Sequence, residues 1–288
     1  MATVGKDALT TSTTFAPPTC IAKCKEVARP GYSDGIDASE FQDSKEVMRE
    51  KVAVLVSLIR SSKNVCVYTG AGISTSAGIG DYASKAPSSK APHKRSVART
   101  NRLSCEPTYS HHALAALSRK NLVHHWLQQN HDRLAQKAGY PQSKLNEIHG
   151  AWGDNKNRVK MMDDSLRPDL CTWMEQWQDR TDLCIAAGTS LCGMYSDCVA
   201  ESATERGPKG MAQSGQNGLV IINLQATPYD DKATLRIWGL LDDVFRELMR
   251  QLKIKTPSRR CTTEGKKWTE SHPGLKYNTP KRSYKDKM

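Results

Sequence analysis

The chain has 288 residues, a formal net charge of +12, a hydrophobic fraction of 38% and a mean hydropathy of −0.60. That length suffices for one large α/β domain with a substantial core, and the low hydrophobic fraction points to disordered segments beside it. No apolar run is long enough to span a bilayer, so no membrane partner is expected. The opening "MATVGKDALTTSTTFAPPTC" also lacks the apolar stretch of a secretion signal. Nine cysteines, an odd count with no Cys-x-x-Cys pair, fit free thiols in a reducing compartment better than a disulfide framework.

In chain order, residues 1–40 are rich in Thr, Ser and Pro and read as a disordered N-terminal segment. In "DSKEVMREKVAVLVSLIRSS", Asp43 is a candidate N-cap with Glu46 three residues on, a capping-box arrangement. Met48, Val52, Leu55 and Ile59 then recur at helical spacing. Four apolar runs of strand length follow: Val65–Tyr68, Leu122–Leu127 (interrupted by His124 and His125), Leu183–Ala187 and Leu219–Ile222. Helical or polar stretches separate them, "YSHHALAALSRK" and "DLCTWMEQWQDR" being the helical ones. "LDDVFRELMRQL" puts Leu241, Val244, Phe245, Leu248 and Leu252 on one helical face and closes a folded domain over residues 41–253. Strands alternating with helices predict an α/β, Rossmann-like, doubly wound parallel sheet.

Charge concentrates at two places. From Leu252 to Met288 eleven basic residues face Glu264, Glu270 and Asp286, leaving +8. "SKAPSSKAPHKRSVARTNR" contains no acidic residue at all. Both stretches, including the tail 254–288, read as disordered. They would attract nucleic acid or another acidic partner, or act as a nuclear import signal; a merely solubilising tail is the competing reading.

The strand ends carry the chemistry. Gly70-Ala71-Gly72 follows the first apolar run, Gln129-Asn130-His131-Asp132 the second, Gly188-Thr189-Ser190 the third, and Asn223-Leu224-Gln225 ends the fourth. In open parallel sheets ligands bind outside the carboxyl ends of the strands, so these motifs should converge on one crevice. Gly70 and Gly72 suit a phosphate-binding turn, but Thr75 stands at the third glycine position of the dinucleotide fingerprint. No acidic residue lies between Asp81 and Glu106 to hold a ribose, which disfavours a hydride-transferring dehydrogenase. Taken alone, a Gly-x-Gly serves a structural turn equally well. His149, before Gly150, is either a general base or a turn residue. The pairs His111-His112 and His124-His125 lack ligand spacing and read as helix-surface or strand-end residues, not a metal site.

Together, "GAGISTSAGIGDY", "QQNHDRLAQKAGYP", "NEIHG", "AAGTSL" and "VIINLQATPYDDKATLRIWGLLDDVFRELM" resemble, in order and style, the sirtuins, a family of NAD-dependent protein lysine deacylases. The resemblance spans about residues 43 to 252, and with "EPTYSHHALAALSRKNLV" it is nearest the nuclear branch. It implies NAD as cosubstrate and an acylated lysine protein, such as a histone, as substrate. It further implies location in the nucleus, with the cytoplasm as the alternative. It assigns Gly70, Ala71, Gly72, Ser74 and Thr75 to the diphosphate turn, and Gln129, Asn130 and Asp132 to the nicotinamide ribose. Gly188, Thr189 and Ser190 fall on the phosphate and ribose path, and Asn223, Leu224 and Gln225 on the adenosine ribose. Leu241 falls at a backbone contact to adenine, and Asp81 and Tyr82 fall beside the nicotinamide. His149 takes the role of general base with Asn130 beside it, for which an imidazole near its ordinary pKa of ~6.5 is suited.

Departures from the family follow. Ile79-Gly80-Asp81-Tyr82-Ala83 stands where the family reads Ile-Pro-Asp-Phe-Arg, so the arginine is lost and a flexible glycine replaces a stiff proline. His131 replaces a small apolar residue between Asn130 and Asp132. Only 38 residues separate His149 from Gly188, with Cys171 and Cys184 the only cysteines there. A four-thiolate site is impossible, so a reduced small domain with no zinc is expected. "LRPDLCTWME" resembles the peptide-binding stretch that pairs with substrate as an added strand, yet has Met174 in place of glycine; Trp173 would face the acyl-lysine or fill the space of the missing module. The leading expectation is a deacylase transferring the acyl group to ADP-ribose with nicotinamide release. The rivals are an NAD hydrolase or ADP-ribosyltransferase, and an inactive module that senses NAD or ADP-ribose.

Overall fold

Every strand pairing in the main sheet is parallel, as strands joined through helices must be. A computed structural model describes residues 15–28, 35–89, 104–161, 164–206 and 217–256. The basic stretch from residue 90 to 103 and the tail from 257 onward, on which the charge readings rest, lie outside them.

The elements in order are β1 (Thr19–Ala22), β2 (Glu40–Gln42), α1 (Lys45–Ser61), β3 (Val65–Thr69), α2 (Tyr109–Arg119), β4 (His125–Gln128) and α3 (Leu134–Lys137). Then come β5 (Leu145–Glu147), α4 (Pro168–Arg180), β6 (Leu183–Ala187), α5 (Cys198–Thr204), β7 (Gly218–Asn223), β8 (Leu235–Trp238) and α6 (Leu241–Leu252). The six-stranded sheet runs β5-β4-β3-β6-β7-β8, so strand order reverses between β3 and β6. That reversal is where a doubly wound sheet opens a crevice.

Alternation along the buried strands divides the core into two layers. Val65, Val67, Ile185, Val220 and Ile222 pack with Val52, Leu55, Ile59, Leu114, Phe245 and Leu248 of α1, α2 and α6. On the opposite face Cys66, Tyr68, Cys184, Ala186, Leu219 and Ile221 meet Trp173, Met174 and Trp177 of α4 and Val199 of α5.

Several expectations change. Ser44, not Asp43, caps α1, its hydroxyl accepting from Val47 N at 3.2 Å. Asp43 is recruited inward: its carboxylate accepts from Lys51 Nζ at 2.7 Å and from Trp238 N at 2.9 Å, tying α1 to the end of β8. Both side chains are buried, so deleting either would strand the other at a cost of about 3–5 kcal/mol. Part of the segment expected to be disordered is ordered, since β1 and β2 form an antiparallel pair. Phe41 N then donates to Leu224 O at 2.8 Å, bringing this hairpin to the end of β7. The second apolar run becomes a strand only at His125, because His124 turns its Nδ1 to accept from Val65 N at 3.0 Å.

Of the histidine pairs, His111 and His112 are not on the helix surface, while His125 does open β4 and His124 beside it is half-buried. His111 and His125 are fully buried and His112 nearly so. His111 completes a capping box with Thr108 at the start of α2. His125 stacks on Trp177 (centroids 4.6 Å apart, planes 4° apart) and meets Trp173 edge-on at 4.5 Å. Trp173 is thereby spent on core packing. The stretch expected to add a strand to substrate is part of α4, with Pro168 in its first turn and Met174 wholly buried.

Candidate functional site

The strand-end motifs do meet. Gly70, Gln129, Gly188 and Leu224 each follow a strand at its carboxyl end, β3, β4, β6 and β7 respectively, while His149 comes two residues after β5. At the reversal point the β3 and β6 loops touch backbone to backbone, with Gly72 N donating to Gly188 O at 2.9 Å. A Cβ on Gly72 would stand 2.7 Å from Gly188 Cα, and one on Gly188 would stand 2.8 Å from Gly72 C. Gly188 also has φ +63°, a left-handed conformation that disfavours a side chain. The glycines of both loops are therefore required by the close approach of the two turns, whatever ligand they face. Gly80, in contrast, has nothing within 4 Å of a built Cβ.

A polar network fixes the turn. Ser74 Oγ donates to Asp132 Oδ2 at 2.6 Å, and Asp132 Oδ1 accepts from Leu134 N at 2.9 Å. Asn130 Nδ2 reaches Gly70 O at 3.1 Å and Ser74 Oγ at 3.2 Å. Ser74 and Asp132 are buried, whereas Asn130 and Gln129 are half-buried at the crevice. Thr75 Oγ1 closes the turn on Gly72 O at 3.0 Å. Asn223 Nδ2 donates to Thr189 O at 3.2 Å, joining the ends of β6 and β7. Asp242, at the start of α6, accepts from Ser76 Oγ, Ser110 N and Ser110 Oγ, which seats Leu241 and its helix start against the turn. Ala71 and Ser190 are half-buried beside these groups, and Leu224 is buried.

His149 is half-buried, and burial, reinforced by the charge of neighbouring His131, lowers its pKa to about 4, against a smaller opposing pull from the Gln129 backbone. This revises the expectation of an ordinary imidazole: at neutral pH the ring is firmly neutral and able to accept a proton. His131 Nδ1 lies 3.0 Å from Gly150 O. Glu147 at the end of β5 is buried and raised to about 7, chiefly by burial.

Three residues expected at the ligand are engaged elsewhere or exposed. Tyr82 is 89% exposed and covers nothing. Asp81 folds onto its own loop, accepting from Ala83 N, Ser84 N and Ser84 Oγ at 2.7–3.1 Å. Gln225 is buried, and its Nε2 donates to Ala83 O at 2.6 Å and Ala38 O at 3.4 Å, so it anchors that loop to the N-terminal segment. Sequence reasoning also missed Tyr68, Ser196 and Asp197. Tyr68 is a polar-tipped residue inside an otherwise apolar run, which is the signal that pointed to it. Among the described residues, no group of three or more His, Cys, Asp or Glu is arranged to hold a metal ion, and no helix is long and apolar enough to cross a membrane.

A model of the Sir2 family matches residues 88–158. The human NAD-dependent protein deacetylase sirtuin-7 is 31% identical over 258 residues, covering 76% of this chain and 64% of the relative. The NAD-dependent protein deacetylase SRT1 of Arabidopsis thaliana is 27% identical over 275 residues, 77% of this chain and 53% of the relative. The chain thus spans less than two thirds of the length of these relatives. Among solved structures, Sir2Tm bound to a propionylated peptide superposes with a TM-score of 0.57 at 22% identity, over 71% of this chain and all of that one. That likeness concerns the fold.

Proposed function

The chain belongs to the Sir2 family, and on that premise we propose that it is an NAD-dependent protein lysine deacylase that transfers an acyl group from lysine to ADP-ribose. The observation that carries this reading is the Ser74–Asp132–Asn130 network built around the Gly70–Gly72 turn, with a neutral His149 held two residues beyond the neighbouring β5 end. The Gly70–Gly72 turn follows β3 at the point where the strand order reverses, which is where a diphosphate would meet its backbone N–H groups. Gly70, Ala71, Gly72, Ser74 and Thr75 would hold that diphosphate, with Thr189 and Ser190 beside it. Gln129, Asn130 and Asp132 would bind the nearer ribose, Asn223 the farther one, and Leu241 the adenine. Asp81, Tyr82 and Gln225 would join only if the loop at 81–84 rearranges. When bound, NAD supplies an activated ribose carbon with nicotinamide as leaving group. His149 would accept a ribose hydroxyl proton; its depressed pKa keeps the ring unprotonated at neutral pH while making it a weaker base than an exposed imidazole.

The folded unit we assign is 41–253 together with the ordered β1 segment that pairs with β2, working without structural zinc on an acylated protein such as a histone, in the nucleus. The basic tail would dock on nucleic acid or another acidic partner. A second reading, NAD hydrolysis or ADP-ribosyl transfer, draws support from α4, which is helical where a substrate-pairing strand was expected. The test is His149→Ala: turnover should fall at least about 100-fold while calorimetric NAD binding stays within a few-fold. Full activity in that variant would refute the proposed role. Binding of NAD with no turnover in the wild type would favour a sensing module.

A further inference from the structure

We infer that Tyr68, buried inside β3, sets the polarity with which Gln129 meets its ligand, making the amide a hydrogen-bond acceptor toward the crevice. This rests on the reading of Gln129 as a ribose contact, but the coupling itself is a property of the free chain. Tyr68 is wholly buried, and its hydroxyl meets Asp197 Oδ1 at 2.6 Å, Ser196 Oγ at 2.8 Å and Gln129 Nε2. Asp197 is also buried, and its other oxygen accepts from Gly193 N at 2.7 Å and Met194 N at 2.9 Å.

The direction follows from counting donors. A carboxylate only accepts, so the single Tyr68 proton goes to Asp197. The Tyr68 oxygen must then accept from Ser196 and from Gln129. The second hydrogen of the Gln129 amide goes to Thr189 Oγ1 at 3.2 Å. With both N–H groups turned inward, Oε1 is left facing the turn, 3.0 Å from where a Cβ on Gly70 would stand. An acceptor there selects a donor such as a sugar hydroxyl and repels a phosphate oxygen. Tyr68 is thus a positioning residue that acts through Gln129.

The test begins with the ligand-free full chain, using Gln129→Ala to identify the Gln129 side-chain amide resonances by 15N–1H NMR. Tyr68→Phe should move that pair toward the position of a solvent-exposed glutamine amide; an unmoved pair overturns the inference. Should Tyr68→Phe fail to fold, Asp197→Asn in a Ser196→Ala background serves, because its oxygen still satisfies Gly193 and Met194 while its amide donates to Tyr68, and no serine oxygen is left to take the Tyr68 proton. Tyr68 would then donate to Gln129 and reverse its amide, so the same resonances must move, and their constancy again overturns the inference. Calorimetry with NAD gives the functional arm. Tyr68→Phe should weaken binding about tenfold, and adding it to Gln129→Ala should weaken it no further. Additive losses would mean that Tyr68 acts only on the fold and would overturn the inference. If the wild type binds no NAD, the proposed function fails, and the resonances alone decide the Tyr68–Gln129 coupling.

Discussion

His149 illustrates how a side chain's role depends on the solvent it loses. An exposed imidazole titrates near ~6.5, but here burial and His131 bring it to about 4. The sign is fixed by that shift: the ring stays neutral down to about pH 4 and loses its function as base only below it. The acid limb of kcat/KM for NAD, read in the Glu147→Gln variant so that the nearby carboxyl does not titrate, should have its midpoint near 4. A midpoint near the ordinary histidine value would contradict the buried environment. No residue-by-residue reading of "NEIHG" could supply this, because the depression comes from groups that only the fold brings around the ring. Gln225 is similar: the motif marks it as a ligand contact, while the chain uses its amide to hold Ala83 and Ala38.

Glycine placement and aromatic packing act on whole elements. Gly188→Ala would put a methyl group 2.8 Å from the Gly72 carbonyl carbon at φ +63°. We expect a loss of about 2–4 kcal/mol in urea unfolding together with weaker NAD binding; a stability change under about 0.5 kcal/mol would show that the two turns are not in forced contact. His125 gives the opposite case. Neither of its ring nitrogens has a hydrogen-bond partner, and burial holds its pKa well below the usual value. Since the unfolded chain takes up this proton and the folded one does not, stability from this site is lost as pH falls below ~6.5. His125→Phe should therefore match the wild type within about 1 kcal/mol at pH 7.5 and exceed it at pH 5. Equal destabilisation at both pH values would contradict that account. The strands β3, β6 and β7 were legible because their runs are continuously apolar, and α1, α2, α4 and α6 because of their periodicity. The three-residue β5 and the Arg236-bearing β8 were not. The N-cap was misplaced by one residue because Asp43 and Ser44 are both capping types, and only the contact with Lys51 and Trp238 separates them.

At the scale of the molecule, the chain keeps the crevice of a doubly wound sheet while α4, with Trp173 and Trp177 in the core, occupies the span between His149 and Gly188. The convergence of strand-end motifs was readable because parallel topology dictates it. The diversion of Tyr82 into solvent was not, because it depends on how the loop at 81–84 folds on Asp81. If no metal supports the fold, a strong zinc chelator should leave the thermal midpoint unchanged within about 1 °C, since loss of a structural zinc would remove many times that stability; a large drop would reveal a site. The central claim is acyl transfer to ADP-ribose, and its most direct measurement is stoichiometric. With NAD and an acetyl-lysine peptide, the account predicts one nicotinamide released and one O-acetyl-ADP-ribose formed for each peptide deacetylated, and no release without peptide. Nicotinamide released at the same rate whether or not the peptide is present would contradict it.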